Sequence, residues 1–495
     1  MRYSSFAGKT LILIISNIIT GTLAFIFSII LSKKIGSEGM GLYQLIMPIY
    51  SLFLCITGGG ITVSISKIAA EKKATNNLKE LYRTIKVIVI FELVWSTLIT
   101  SVVVMLCKVI SKNFLFDERT MYGILAFCPA LIIVSISSIY KGAYYGIQKV
   151  IEPALIDIIE KIIRITMVYF FLNLAKNMSL EVKTAASVIS LSCGELVSLI
   201  LFLLCFKVYS RNNPEYGKCD NDFQLLFNVL RLSLPLALNG ILGTIFTAII
   251  AVLIPKRLQI AGFLYEEALS LFGKLEGMAL TIAFYPSIVI NSLCVLLVPS
   301  ISEAIAFKKE RSITRKMNLS LKVTSLIAFS SAAIFFSIPI RIGTFFYNDE
   351  IVGYLLKMLS LGLPLVYIEI TLCALLNGMG KQGALLINSI IIAIFELITL
   401  YVFIGIPNIN IKGYGIDFFC YPIIGILLNL KEIKKSFEYT FDIIGILILP
   451  FLCSILLYFI ITLLYTNISS TPILILISYI TYGIIYYPIY KLTNI

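Results

Sequence analysis

The sequence predicts an all-α integral membrane protein with about 14 transmembrane helices. We expect two six-helix lobes related by a parallel internal repeat, followed by two C-terminal helices. Three observations predict this class. Hydrophobic residues make up 59% of the 495 residues and charged residues only 14%, which is unlike a soluble domain. Apolar runs of about 20 residues, the length that crosses a bilayer, recur along the chain. Finally, similar segments recur 236 residues apart.

The apolar runs lie between short polar breaks, which set the predicted ends of each span. A first run follows Lys9 and is longer than the core of a signal peptide, so we expect it to remain as a helix. The spans cover residues 10–31, 42–66, 86–107, 121–140, 154–175, 184–206, 230–254, 277–299, 323–341, 352–376, 384–405, 414–430, 443–464 and 472–490.

These spans divide the chain into four parts. An N-lobe (1–206, spans 1–6) is followed by a polar cytoplasmic linker (207–229) and a C-lobe (230–430, spans 7–12). Spans 13 and 14 occupy 431–495. An even number of spans places both termini on one side. If that side is the cytoplasm, inside connections hold about twice as many Lys and Arg as outside ones, in agreement with the positive-inside rule.

The internal repeat relates positions in the two lobes one by one. The segment 63–73 resembles 299–309, and the same offset maps Gly142 onto Gly378 and Glu160 onto Glu396. The two copies begin six spans apart. Because six is even, both copies have the same orientation, as in transporters built from parallel repeats.

Proline and glycine residues mark predicted bends in the second and eighth spans. Pro48 and Pro286 are related by the repeat after a slip of two residues, so we expect both to kink their helices alike. Gly58, Gly59 and Gly60 lie in the second span, where no Lys-Ser/Thr follows and a phosphate loop is not indicated. They predict a bend or close helix packing, and with the two prolines form candidate hinges for gating.

The fifth span contains four charged residues, although a charge at the bilayer centre costs on the order of 3 kcal/mol. Asp157, Glu160, Lys161 and Arg164 follow i, i+3, i+4, i+7 spacing, so they share one helix face as two i,i+4 pairs. One interpretation is that this stripe lines a water-filled cavity and binds a charged substrate. The other is a self-neutralised structural stripe, packed against a neighbouring helix or lying among headgroups. Asn17 of the first span is a further candidate for lining the cavity.

Other polar residues within spans are candidates for ion coupling. Each could bind Na⁺ or H⁺, pair with a base or, for the amide, join helices by a hydrogen bond: Glu92, Glu195, Asn239, Glu369 and Glu396. Glu396 is the repeat partner of Glu160, whereas Arg164 maps onto Leu400. The fifth span is thus zwitterionic and its partner acidic. This asymmetry favours anion handling in the N-lobe and cation coupling in the C-lobe.

Several function classes have no support in the sequence. The chain has no His, and its 10 Cys are scattered without a Cys-x-x-Cys pair, so neither a metal site nor a disulfide framework is indicated. We find no nucleotide-binding motif or nucleophile elbow and therefore expect no enzyme activity and no resident cofactor. The net charge of +13 lies mainly in the loops between spans, which indicates lipid headgroups rather than nucleic acid.

Motifs along the whole chain resemble one known family. The segments 276–280, Pro286-Ser287 and 297–304 resemble the eighth-span signature of the stage V sporulation protein B and polysaccharide-type flippases. Similar loops occur at 141–146, ahead of Glu160 and Arg164, and at 376–381. These proteins belong to the multidrug/oligosaccharidyl-lipid/polysaccharide exporter superfamily. A related branch, the MurJ-type lipid II flippases, also has fourteen spans, of which the last two form a groove for the lipid tail.

The resemblance implies a flippase for an undecaprenyl-pyrophosphate-linked peptidoglycan precursor, such as lipid II, or a related lipid-linked oligosaccharide. It further implies alternating access, a bacterial cell membrane, contact with membrane lipids and cell-wall synthesis proteins, and a role in the spore cortex if this is the sporulation branch. MurJ-type proteins have basic residues in the first span, whereas residues 10–31 contain none. Lys161 and Arg164 are then the expected contacts for a pyrophosphate.

Two other functions remain open at this point. A cation-coupled exporter of small amphipathic compounds fits the repeat, but such exporters of this superfamily usually have twelve spans. A non-transporting membrane scaffold for wall synthesis fits the composition, but has no need of a charged stripe at membrane depth.

Overall fold

The computed structural model describes residues 6–212, 220–307, 310–436 and 441–493, and every regular element in these ranges is a helix. The all-α prediction is therefore confirmed. The chain divides into two compact units, which we call unit 1 (Met1–Leu253) and unit 2 (Ile254–Ile495). Unit 1 contains α1 (Phe6–Gly58), α2 (Ile61–Ala74), α3 (Leu78–Val109), α4 (Met121–Gly146), α5 (Ile151–Leu174), α6 (Leu180–Asn212) and most of α7 (Asp222–Ile260).

The helix α1 supplies two of the predicted spans. Gly36 interrupts its helical backbone with φ 73° and ψ −177°, a conformation that only glycine adopts easily. Phe27 and Tyr43, on either side of Gly36, have ring centroids 6.4 Å apart. The two halves of α1 therefore fold back against each other. Pro48 lies within α1 without interrupting the helical backbone.

The break that ends the second span occurs at Gly59 and Gly60. Gly60 has φ 75°, and a Cβ there would lie 2.6 Å from the carbonyl oxygen of Ser233 in α7. A Cβ at Gly59 would lie 2.9 Å from Cα of Ala237. Only glycine therefore allows both the turn and the close approach of α7.

Unit 2 contains two helices interrupted by π-helical segments. Its elements are α8 (Tyr265–Phe272), a π-helix (Gly273–Ala279), α9 (Leu280–Phe284), α10 (Ser287–Ala306), α11 (Glu310–Ser337), α12 (Pro339–Tyr347), α13 (Glu350–Gly378), α14 (Gln382–Ile404), α15 (Lys412–Lys434), a second π-helix (Ile444–Ile448), α16 (Leu449–Leu464) and α17 (Thr471–Thr493). The helix breaks between α9 and α10 at Pro286. The expectation that Pro48 and Pro286 bend their helices alike is thus wrong, because the matching break in unit 1 falls ten or more residues later, at Gly59 and Gly60.

The internal repeat is visible in the cores of both units. Gly142 of α4 packs so closely on α2 that a Cβ would lie 2.6 Å from the carbonyl oxygen of Thr62. Gly378 of α13 meets the carbonyl oxygen of Val298 in the same way, at 3.0 Å. Buried residues at the repeat offset form equivalent clusters: Ile61, Ile65, Ile68, Leu81, Ile85, Ile136, Ile139 and Tyr140 in unit 1, and Leu297, Ile301, Ala304, Met317, Leu321, Leu372, Leu375 and Leu376 in unit 2.

The number of helices agrees with the predicted count. In the described part of the chain, 12 helical stretches are long and apolar enough to cross a membrane. One of them, Leu11–Ala74, contains both spans of the α1–α2 region. The helix α5 is absent from the 12 because of its charged stripe, although its 24 residues are long enough to cross. With these two adjustments, about fourteen spans result.

Two further predictions concern residues at the ends of spans. Residues 213–219 of the predicted linker lie outside the described residues, and α6 and α7 extend into its two ends. Arg341, assigned to the end of the ninth span, lies instead in the separate helix α12, where its guanidinium donates to Thr471 Oγ1 at 3.1 Å. This contact ties α12 to the start of α17.

An ion pair holds the π-helix that precedes α16, and its acid, Asp442, lies just before the membrane span. Lys322 Nζ lies 2.7 Å from Asp442 Oδ2, and the backbone N–H of Gly445 donates to the same carboxylate at 2.9 Å. Although burial acts in the opposite direction, these hydrogen bonds hold the pKa of Asp442 below its ordinary value.

Candidate functional site

The charged stripe of α5 forms an ion-pair network across three helices of unit 1. Glu160 is buried and forms ion pairs with Lys161 at 2.8 Å and with Arg164 at 2.5 Å. Arg164 also reaches Glu195 of α6, at 3.2 Å. Three bases and three acids take part in the network once Lys141 of α4 and Asp157 are counted. Its formal charge is therefore zero, which lowers the cost of placing it at membrane depth.

The partner of Asp157 differs from the one expected. The i,i+4 spacing predicts a pair with Lys161, but Lys141 Nζ contacts both carboxylate oxygens of Asp157, at 2.7 and 2.8 Å. Lys161 turns to Glu160 instead. A pair within one helix is weak, and packing of α4 beside α5 offers a bidentate partner.

Close packing of α6 on α5 brings the network together. A Cβ at Gly194 would lie 3.0 Å from Glu160 Oε1 and 3.3 Å from Cβ of Arg164. The absence of a side chain at Gly194 therefore lets the neighbouring residue, Glu195, reach Arg164. On the other side, Ser16 of α1 donates to the carbonyl oxygen of Ala154 at 3.2 Å, so α1 packs along α5.

The network is partly accessible. About 30% of each side chain is exposed at Lys141 and Asp157, 26% at Lys161 and 15% at Arg164, whereas only 6% of Glu160 is exposed. A buried acid thus holds two bases whose other faces remain open. Such an arrangement can offer cationic groups to an anion without leaving an unpaired charge in its absence.

Unit 2 contains a group of four acids in place of a zwitterionic network; Asp417 is buried and the other three are half-buried. Glu396 of α14 lies within electrostatic range of Asp417, Glu276 and Glu369. Among the described residues, none of these four carboxylates forms an ion pair. Asp417 is 1% exposed; one of its carboxylate oxygens accepts from Thr399, and the other is buried without a hydrogen-bond partner.

A chain of polar side chains leads away from these acids. The thiol of Cys373 donates to Glu369 Oε1 at 3.2 Å, and Asn429 lies 3.5 Å from the same sulfur. Asn388 of α14 donates to Asn429 at 2.9 Å. Glu276 lies in the first π-helix of unit 2, where its carboxylate accepts from the Tyr414 hydroxyl at 3.4 Å. π-helical turns often occur at functional sites.

Glu92, Asn17 and Asn239 form no hydrogen bond or ion pair with either group within the described residues. Glu92 is 1% exposed in α3, and its Oε2 atom has no hydrogen-bond partner. Asn17 and Asn239 are exposed, and neither side chain makes a hydrogen bond within the described residues. The hydrogen bond between helices near Asn17 is made by its neighbour Ser16. Glu195 was grouped with the candidate ion ligands, yet it belongs to the α5 network.

Two residues of the unit 2 group were not among the sequence candidates. Asp417 is a charged residue inside the predicted span 414–430, so the search for intramembrane charges could have found it. Glu276 was noted only as part of a motif. Lys141 belongs to the loop motif 141–146 and was not a site candidate. Nothing in the sequence shows that it faces Asp157. In the described part of the chain, no three His, Cys, Asp or Glu side chains converge as metal ligands do.

Comparisons with known proteins agree with this architecture. The sequence profile of the family described as "Polysaccharide biosynthesis protein" matches residues 6–305. Stage V sporulation protein B of Bacillus subtilis (strain 168) is 26% identical over 439 residues, which cover 88% of this chain and 85% of that protein. Sporulation protein YkvU of the same organism is 24% identical over 412 residues, covering 82% and 90%.

Solved structures share the fold. The lipid II flippase MurJ in an inward closed conformation superposes with a TM-score of 0.69 at 18% identity, covering 97% of this chain and 99% of that one. An inward-facing multidrug resistance MATE family transporter of the MOP superfamily gives a TM-score of 0.65 at 15% identity, covering 88% and 98%. The resemblance seen in the motifs is thus confirmed, and at these identities the structural likeness concerns the fold.

Proposed function

This chain belongs to the polysaccharide biosynthesis protein family, and from that premise we propose that it flips a lipid-linked sugar across a bacterial membrane. The substrate class we propose is an undecaprenyl-pyrophosphate-linked peptidoglycan precursor such as lipid II. The protein would work by alternating access, exposing its binding site to each side of the membrane in turn. The observation that carries the proposal is the partly open ion network of unit 1, which holds three bases at membrane depth.

The network suits a pyrophosphate headgroup. Lys141, Lys161 and Arg164 each keep an acid partner while the site is empty, and each has an exposed part. Phosphate oxygens can replace carboxylate oxygens at Lys and Arg with little change in geometry. Asp157 and Glu195 are the acids that a bound pyrophosphate would displace, because Glu160 is the most buried of the three.

An apolar pocket of about 300 Å³ in unit 2 suits part of an isoprenoid tail. Its walls come from α11, α13 and α16: Phe329, Phe336, Leu361, Pro364, Phe451, Tyr458 and Phe459. Aromatic and aliphatic walls without charged side chains bind hydrocarbon by burial alone. The helix α16 lies beyond the twelve spans shared with drug exporters, which links the pocket to the extra helix pair.

The four acids of unit 2 that have no ion-paired base among the described residues support coupling to a cation. Four carboxylates without an ion-paired base at membrane depth must be neutralised by protons or by a bound cation. We propose protons as the coupling ion, since no three of these carboxylates converge as the ligands of a metal do. Na⁺ is the other outcome of the test described in the Discussion.

Location and biological role complete the proposal. Cytoplasmic termini are favoured by the excess of Lys and Arg in the connections that would then lie inside. Two relatives carry names of sporulation proteins, which supports a role in spore cortex synthesis and contact with cell-wall synthesis proteins.

A translocation assay in a bacterial strain depleted of its own lipid II flippase tests the substrate. We expect the wild-type chain to restore translocation and Lys161→Met to reduce it roughly 10-fold or more, because a charge-assisted hydrogen bond to the pyrophosphate is lost. Lys161→Arg should retain most of the activity. Lys176→Met, on an exposed residue just beyond the same helix, is the control and should match wild type.

Failure of the folded, inserted wild-type chain to translocate lipid II would contradict the proposed substrate. Efflux of amphipathic dyes by the same protein would then favour the cation-coupled exporter, and absence of both activities would favour the scaffold. Equal loss with Lys161→Met and Lys176→Met would remove the network from the substrate path.

A further inference from the structure

A second charged site lies in unit 1, away from the α5 network. An open pocket of about 580 Å³ is formed where α3 and α7 begin, and its walls are Lys79, Tyr82, Arg83, Lys86, Asp220, Asn221 and Asp222. The three bases follow i, i+4, i+7 spacing, so one face of α3 presents all of them to the pocket. This differs from a general basic coating of a loop, in which the charges point in several directions.

Two of these bases form no direct ion pair in the described part of the chain, although Lys86 lies within electrostatic range of Asp222. Arg83 forms a fork with Asp222, in which Nε and Nη2 donate to the two carboxylate oxygens at 2.7 and 2.6 Å. Lys79 and Lys86 form no ion pair within the described residues and are exposed. The Arg83–Asp222 pair is itself about half exposed, at 48% and 47%. Exposed pairs contribute little to stability, so an anion of suitable geometry can compete for Arg83.

The pocket lies at a membrane–water boundary. The apolar stretch of α3 begins directly after Lys86, and Tyr82 provides the kind of aromatic ring that is common at this depth. Below the bases, the same face of α3 continues with exposed apolar side chains, Ile90, Leu93, Val94 and Leu98. Phe223, in the first turn of α7, is 74% exposed beside the pocket. A charged pocket is thus followed by an apolar track along one helix.

We propose that this pocket binds the phosphate headgroup of an anionic phospholipid, with an acyl chain along the exposed apolar face of α3. Lys79 and Lys86 bind the phosphate, and Arg83 exchanges its fork with Asp222 for phosphate oxygens. The apolar track favours a lipid over free phosphate, because inorganic phosphate has no hydrocarbon chain to pack against it. This lipid is separate from the transported substrate, because it requires no residue of the α5 network.

Displacement of Asp222 has a mechanical consequence. The Arg83–Asp222 fork ties the first turns of α3 to the N-terminus of α7. At this end of α7 the negative charge of Asp222 also interacts favourably with the helix dipole. A bound headgroup releases this tie. The lipid therefore regulates the start of α7, a helix whose other end, beyond Leu253, belongs to unit 2.

Native mass spectrometry of the purified full-length protein, titrated with phosphatidylglycerol in detergent, tests the site. We expect Lys79→Ala/Lys86→Ala to raise the apparent Kd about 25-fold, since each base near an anionic headgroup contributes roughly a five-fold change. Lys33→Ala/Lys108→Ala removes two exposed lysines elsewhere in unit 1 and should leave the Kd unchanged. Asp222→Asn should lower the Kd, because Arg83 is then released from its fork.

Three other results would contradict the proposed lipid site. An equal loss of affinity in both double variants would show attraction to net positive charge rather than a site. Displacement of the lipid by millimolar inorganic phosphate would assign the pocket to a soluble anion, and equal affinity for phosphatidylcholine would remove the need for an anionic headgroup. Lys161→Met should retain wild-type affinity for phosphatidylglycerol. The lipid-binding result can therefore be interpreted even if the proposed transport function is wrong.

Discussion

At the scale of single residues, charge at membrane depth is neutralised differently in the two units. Glu160 and Glu396 are equivalent in the repeat, yet Glu160 is paired with two bases and Glu396 lies among other acids. The difference arises at two positions, since Lys161 and Arg164 correspond to Leu397 and Leu400. The charge of a paired carboxylate is balanced by its bases, whereas carboxylates without bases are balanced when they take up protons or a cation. This contrast supports the proposal that ion coupling takes place in unit 2.

Neutral substitution of the unit 2 acids is expected to uncouple transport. Glu396→Gln and Asp417→Asn remove the carboxyls that would carry the proton, so substrate movement should no longer follow an imposed pH gradient across proteoliposomes. Wild type should respond to the pH gradient and not to a Na⁺ gradient at constant pH. Glu350→Gln, which changes an exposed acid in the first turn of α13, is the matched control.

Unchanged gradient dependence in both variants would remove these acids from the coupling mechanism. A response of wild type to Na⁺ alone would retain the site and replace the proton by Na⁺.

The paired acid of unit 1 should be important for stability rather than for coupling. Glu160→Gln leaves Arg164 with Glu195 alone and Lys161 without its acid, so we expect a loss of about 3 kcal/mol, as when one partner of a buried pair is removed. Thermal unfolding in detergent measures this loss. Glu152→Gln alters the more exposed Lys149–Glu152 pair on the same helix and should cost under about 1 kcal/mol. Equal losses of unfolding free energy in the two variants would show that burial of the network does not increase its contribution to stability.

At the scale of elements, glycine allows the helix pairs of the repeat to approach. Gly142 and Gly378 occupy equivalent positions in α4 and α13, and each faces a backbone carbonyl of the helix that packs against it. The approach is closer in unit 1, with the hypothetical Cβ at 2.6 Å from oxygen against 3.0 Å in unit 2. Packing through small residues is common where helices associate within a membrane.

Because the helices approach more closely at Gly142 than at Gly378, we expect substitution by alanine to lower stability by different amounts at the two positions. Gly142→Ala forces α2 and α4 apart against a rigid backbone atom and should destabilise by about 1–3 kcal/mol. Gly378→Ala should cost less. Gly483→Ala, in α17, meets nothing within 4 Å and should be neutral or gain up to about 1 kcal/mol of helix propensity. Thermal unfolding of the three variants checks the order, and a larger loss for Gly378→Ala would contradict it.

At the scale of the whole molecule, two units of related sequence build the same core with different chemistry at membrane depth. Buried residues of the two cores fall at the same offset, which shows that the repeat preserves packing. The charged residues of α5 have no such equivalents in α14 apart from the shared glutamate. The repeat therefore preserves a scaffold, and we propose that the functional residues are those at which the copies differ.

The proposed orientation is a property of the whole chain and can be tested directly. Reporter fusions after Lys149 should be cytoplasmic, giving fluorescence with green fluorescent protein and no activity with alkaline phosphatase. Fusions after Met178, on the other side of α5, should give the reverse result, because α5 crosses the membrane once. The same result at both positions would mean that α5 does not span, and exchanged results would invert the topology.

Hydropathy and the repeat determine the outline of this protein from sequence alone. Helices that cross a membrane satisfy their own backbone hydrogen bonds, so each is a local property of some 20 residues, and even the charged α5 was found from its length and flanks. The placement of Glu160, Lys161 and Arg164 on one face likewise follows from helix periodicity. Equivalent cores follow from the repeat, because the same residues at the same spacing pack in the same way.

Partners across helices were decided only by the tertiary structure. The pairing of Lys141 with Asp157, the approach of Gly194 to Glu160 and the gathering of Asp417 and Glu276 around Glu396 all join residues of different helices. Local spacing favoured a pair between Asp157 and Lys161, but an i,i+4 contact contributes only a few tenths of a kcal/mol. The packing of neighbouring helices outweighs this, since it sets which side chains share a low-dielectric space.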